Sequence, residues 1–166
     1  MLIPNAMLQF VDLARENKCD FLVVASSDVG WGRGYIKKMI GLNLPVVGGW
    51  ANGRCWPFSC HVCQEADWGN GLFKPVEKPE KHHGVEQVCS NGGELVVYRM
   101  DVFDKIPRPW FFGPDMVLTD RLMTEDYYFA LQAHKHGVPM YVDWDCPLVH
   151  CADGMITQDG VVRVNN

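Results

Sequence analysis

Apolar positions recur at helical spacing near the start of the chain. Over residues 6–18, Leu8, Val11 and Ala14 share one face and Arg15, Glu16 and Lys18 come late, which predicts a helix capped by Asn5. Residues 21–25 are a continuous apolar run rich in β-branched side chains, the mark of a strand buried on both faces. Ser26, Ser27 and Asp28 end that run. Tyr35, Ile36, Met39 and Ile40 predict a second helix within 30–42, and residues 45–49 a second short buried strand. Helix, strand, helix, strand is the alternation of an α/β protein with parallel strands. Such sheets bind ligands beyond the carboxyl ends of their strands.

The periodicity then lapses. Residues 51–92 hold Cys55, Cys60, Cys63 and Cys89, together with Trp56, Trp68, Pro75 and Pro79. They read as a long excursion with little regular structure, expected to act as a mobile flap over a ligand cleft. Regularity returns with a strand at 94–98, a helical turn at 101–105 and a rigid aromatic loop at 107–114. A helix at 124–136 is closed by Gly137, and a last strand follows at 139–142. Residues 151–166 form a polar tail. The whole is expected to be one domain over 1–166.

Composition narrows the classes. With 48% hydrophobic and 21% charged residues the chain is globular, not disordered, collagen-like or coiled coil. A net charge of −5 without a dense basic cluster argues against a nucleic-acid partner. No apolar run approaches the roughly 18–20 residues of a membrane span, so no transmembrane segment is expected. The first ten residues lack a signal peptide's basic region, and seven scattered cysteines fit a reducing compartment. A cytoplasmic location is the expectation.

Several residues invite chemistry. Asp28, beyond the first strand, suits a divalent cation on a diphosphate, although a turn aspartate needs no ligand. Glu125 and Asp126 open a helix behind Thr124. The macrodipole accounts for Glu125, but Asp126 shares a face with Phe129, Ala130 and Ala133 and so points inward as a candidate general base. His150 follows the last strand and has no local partner. Cys60-His61-Val62-Cys63, with Cys55 and Cys89, suggests structural Zn²⁺, but the second paired set is missing. Trp50, Trp56, Trp68, Trp110, Phe111 and Phe112 can stack on a sugar or simply anchor loops.

Taken in order, these segments resemble GT-A fold glycosyltransferases of the family 2-like kind. FLVVASSDVGW resembles the strand and Asp-x-Asp motif, and PVVGGW the next strand. SNGGELVVYRMDVFDKIPRPWF resembles the glycine pair, strand and aromatic loop. TEDYYFALQAHKHGVPMYVDWDCPLVH resembles the acidic pair, helix, Gly, strand and His ending. The resemblance covers roughly 5–150. It implies a Rossmann-related, mixed but mainly parallel sheet flanked by helices and shortened at the N-terminus, without the strand–helix–strand that holds the nucleobase. It implies Asp28 and His150 as ligands of Mn²⁺ or Mg²⁺, and Asp126 as the catalytic base. Ser26, which stands where the first aspartate belongs, would bind donor or acceptor with Gly92, Gly93, Trp110 and Glu125. The implied function is inverting transfer of a sugar from a nucleotide-diphosphate sugar to a hydroxyl acceptor, with a completing chain or second copy as partner. The alternatives are a non-catalytic binding module or fragment of that kind, and a zinc-stapled interaction domain.

Overall fold

The computed structural model describes residues 3–53, 59–112, 117–118, 121–151, 155–157 and 160–162. Helix α1 (Ile3–Glu16) leads into β1 (Phe21–Ala25), followed by the short β2 (Val29–Gly30), α2 (Tyr35–Gly41) and β3 (Val46–Trp50). A hairpin of β4 (Cys63–Asp67) and β5 (Leu72–Pro75), a 3-10 turn at Pro79–Lys81 and β6 (Val85–Val88) come next. Then follow β7 (Leu95–Arg99), α3 (Val102–Lys105), the two-residue strands β8 (Val117–Leu118) and β9 (Arg121–Leu122), and α4 (Glu125–Lys135). The chain continues through β10 (Met140–Pro147), β11 (Val149–Cys151), β12 (Met155–Thr157) and β13 (Gly160–Val162).

Five strands form the main sheet in the order β1-β7-β3-β10-β6. Side-chain alternation divides it cleanly between two cores. Val46 and Val96 face Met7 and Val11 of α1, Phe103 of α3 and Phe129 of α4. Their neighbours Val47 and Val97 face Met39 of α2 on the other side. The expected helix–strand–helix–strand opening is therefore present, and the fold is mixed α/β with helices on both faces.

The expected predominance of parallel pairing is corrected. Among the described residues only β3 and β10 pair in parallel; the β1–β7, β7–β3 and β10–β6 ladders are antiparallel. β1 and β3 do run in the same direction, as their alternation with α2 predicts, but β7 inserts between them. An apolar run such as Leu95–Tyr98 is equally stable in either orientation when both faces are buried, so its direction was not legible.

The 51–92 excursion also holds more structure than expected. β4 and β5 pair as a ribbon, β6 joins the main sheet, and Cys60, Val62, Cys63, Val76 and Val88 are buried. β4 reads CQEAD and stands mostly exposed, so it carries little hydrophobic signal. Beyond residue 150, β12 and β13 extend a second sheet of order β13-β12-β11-β2 where a plain polar tail was expected. Along the open side of β1, Phe10, Leu13 and Ala14 of α1 border an apolar groove of about 480 Å³. No helix among the described residues is long and apolar enough to cross a membrane.

Candidate active site

The end of β1 and the start of β7 meet at one point, because Ala25 pairs with Leu95 and the Ser26 N–H donates to the Glu94 carbonyl at 2.8 Å. The Glu94 side chain is only 6% exposed. Its Oε1 pairs with His61 Nδ1, while Oε2 finds no hydrogen-bond partner among the described residues. Gly92 and Gly93 lie at φ +86° and +96°. A Cβ on Gly92 would stand 2.5 Å from Glu94 Oε2 and 2.8 Å from His61 Cβ; one on Gly93 would stand 3.1 Å from Asp126 Cβ. The glycine pair thus lets backbone pass between three functional side chains.

Asp126 sits in the first turn of α4, and Phe129, Ala130 and Ala133 on its face are buried in the core. Thr124 is the N-cap residue, yet its hydroxyl pairs with Asp126 Oδ1 and not with the helix backbone. Burial pushes the Asp126 carboxyl up to about 6, and the charges of Glu94 and Glu125 push the same way. The Thr124 hydroxyl and Tyr127 N–H pull it down, but less strongly. The helix-start argument alone predicts a depressed value; here desolvation outweighs the backbone N–H groups.

His150 is 4% exposed, and its Nδ1 lies 2.6 Å from the Asn52 carbonyl. With Nδ1 donating there, Nε2 carries the lone pair. The β11–β2 ladder pairs His150 with Val29, and the Cys151 N–H donates to the Asp28 carbonyl at 2.7 Å. Asp28 and His150, 122 positions apart, are therefore neighbours in the fold. His61 approaches His150 with ring centroids 5.8 Å apart in an edge-on arrangement. A series of contacts thus runs from Asp126 through Gly93, Glu94 and His61 to His150, and the main chain of Asp28 joins the same ladder at Cys151.

Other expected residues are placed differently. Ser26 lies at the strand end beside Glu94, and Glu125 is half-buried next to Asp126. Trp110 is a core residue, 1% exposed, with its Nε1–H on the Ile106 carbonyl at 2.7 Å and its ring against Phe103. It packs the fold and does not open onto a sugar groove, because that loop folds back on α3. Cys55 and Trp56 lie outside the described residues.

The remaining cysteines turn to separate backbone groups. Cys60 Sγ accepts the Val62 N–H, Cys63 Sγ donates to the His61 carbonyl, and Cys89 Sγ donates to the Gln64 carbonyl. Burial raises the Cys60 thiol to about 12 and Cys63 to about 11. Among the described residues no three potential ligands are grouped for a metal, so Cys60, Cys63 and Cys89 do not form a zinc knot there.

Two members of the site, His61 and Glu94, were missed by the sequence reading. Glu94 did carry a signal: a lone acid opening a buried strand directly after two glycines. His61 was hidden between two cysteines that suggested a different chemistry.

No family model and no curated protein matches the chain. Among solved structures it is similar to A197 from STIV, with a TM-score of 0.68 and 17% identity over 99% of this chain and 78% of that one. At that identity the likeness shows the fold alone. The family 2-like GT-A resemblance is therefore corrected. Its motifs are short, no family model carries them, a solved structure that the chain matches is A197, and the sheet is mostly antiparallel where that family's expected sheet is mainly parallel.

Proposed function

We propose that this polar end of the sheet is the active site of a transferase that moves a glycosyl group from a nucleotide-diphosphate sugar to a hydroxyl acceptor. The observation that carries the reading is the contact series joining the half-buried carboxyl of Asp126, through Gly93, Glu94 and His61, to His150. One end of that series suits proton removal and the other suits a cation.

A general base is most effective when its pKa lies near the working pH, and Asp126 at about 6 is so tuned. In the proposed step Asp126 takes the acceptor hydroxyl proton as the acceptor oxygen forms its bond to the sugar's anomeric carbon. The bond from that carbon to the diphosphate oxygen breaks, and the nucleoside diphosphate leaves with the electron pair. A divalent cation would be held by His150, whose Nδ1 is already engaged, with Asp28, whose main chain adjoins the same ladder, as its carboxylate partner. Mn²⁺ or Mg²⁺ bound there would neutralise charge on the leaving diphosphate. Gly92 and Gly93 keep space beside Asp126 and Glu94, and Ser26 offers a hydroxyl at the same strand end.

The test is a panel of UDP-, GDP- and TDP-sugars with Mn²⁺, read by release of nucleoside diphosphate and by melting temperature. Release that falls by about 10²-fold or more in Asp126→Asn supports the reading. A panel with neither release nor a thermal shift overturns it.

A further inference from the structure

The structure assigns His61, oriented by Glu94, as a ligand for a divalent cation shared with His150. Three observations converge on it. First, the ring centroids of His61 and His150 are 5.8 Å apart. Two imidazoles bound through Nε2 to one ion about 2.1 Å away place their centroids at a comparable distance. Second, each Nδ1 is already engaged by an oxygen: Glu94 Oε1 for His61 and the Asn52 carbonyl for His150. That is the supporting arrangement of metal-bound histidines, whose second nitrogen is fixed by a carboxylate or carbonyl. Third, Glu94 is buried, and among the described residues its Oε2 has no hydrogen-bond partner. A buried carboxylate in such surroundings is costly without positive charge nearby. A cation on the two imidazoles supplies it.

Among the described residues no three potential ligands are grouped. The remaining positions on the ion therefore belong to water or diphosphate oxygens, or to Asp28 drawn inward on binding. A site with two imidazoles favours Co²⁺, Ni²⁺ or Zn²⁺ over Mg²⁺, since imidazole suits the later transition metals and Mg²⁺ prefers oxygen. This inference needs no sugar substrate, so it can stand or fall separately from the transferase reading.

The experiment titrates metal-free protein with Co²⁺ alone, following its visible absorption, and then competes with Mg²⁺. The expected result is one Co²⁺ per chain that Mg²⁺ at equal concentration does not displace. His61→Ala and His150→Ala should each weaken binding by about tenfold or more, and Glu94→Gln by about 10–100-fold. ¹⁵N shifts should place the metal on Nε2 of both rings. Far-UV circular dichroism of the metal-free variants checks folding, and His61→Gln replaces His61→Ala if the latter does not fold. Binding in a folded His61 variant equal to that of the native chain overturns the assignment, as does a native chain that takes up no Co²⁺. If binding behaves as expected and every nucleotide sugar is inert, the cation site stands and the transferase reading fails.

Discussion

Leu95, Val96 and Val97 have no exposure to solvent and nothing to satisfy beyond their backbone, whereas Glu94, one residue earlier and almost as enclosed, bears a carboxyl group. The middle of β7 is stabilised by its surroundings: Val96 packs toward α1 and α4, and Val97 toward α2. The residue just before the strand is held despite its surroundings. Glu94 is restrained by His61, by the backbone path of Gly92 and by the β1 end, and one of its oxygens still has no donor among the described residues. The strand interior is thus organised for stability, and its end is where the proposed chemistry lies. Substitutions in the two places should separate stability from function.

The largest effect is expected in the interior. Leu95→Ala removes a fully buried side chain from the α2-facing core and should cost about 2–5 kcal/mol in denaturant unfolding. Turnover per folded molecule should be retained. At the polar end the pattern should invert. Asp126→Asn should cut turnover by about 10²-fold or more while raising the melting temperature at neutral pH. An equal loss of stability in both variants would erase the contrast.

The pH dependence sharpens it. Folding raises the Asp126 carboxyl from an ordinary 3.8 to about 6, so the folded state binds the proton more tightly than the unfolded chain. Its contribution therefore favours stability in acid and is lost as pH rises from about 4 through about 6. Activity should run the other way, rising through about pH 6 as the base ionises. The Asp126→Asn variant should lose this component of the stability profile.

Gly92→Ala should be intermediate. Its φ of +86° and the approach of its Cβ to Glu94 and His61 predict a cost of about 1–3 kcal/mol. Its affinity for Co²⁺ should fall as well, because the displaced groups are those of the proposed cation site. A smaller change is expected far from both places at Lys38, whose Nζ lies 2.8 Å from an oxygen of the buried Asp143. Lys38→Met strands that carboxylate. Because Lys38 is half exposed, the cost should lie near the low end of about 1–3 kcal/mol, with Co²⁺ affinity unchanged.

The cores were largely legible because burial imposes a period. Met39 fell where helical spacing placed it, α4 began behind Thr124 and ended at Gly137, and the three apolar runs became β1, β3 and β7. The same spacing placed Phe129, Ala130 and Ala133 on the buried face of α4, with Asp126 half-buried at its start. Strand direction did not, because a run buried on both faces looks the same in either orientation. The 51–92 segment was opaque for the opposite reason: an exposed ribbon such as β4–β5 has too few apolar positions to mark its period.

By itself, the sequence determined the elements and the inward face of α4, since local spacing decides which side chains a helix or strand buries. It also supplied Asp28, Asp126 and His150 as separate candidates. Only the tertiary structure decided that β7 runs between β1 and β3, and that His61 reaches Glu94 across 33 residues of chain. Likewise, only the β11–β2 ladder sets His150 opposite Val29, next along the chain to Asp28. Those contacts depend on strand order and register, which arise from the packing of the whole sheet and leave no mark in any short stretch of residues.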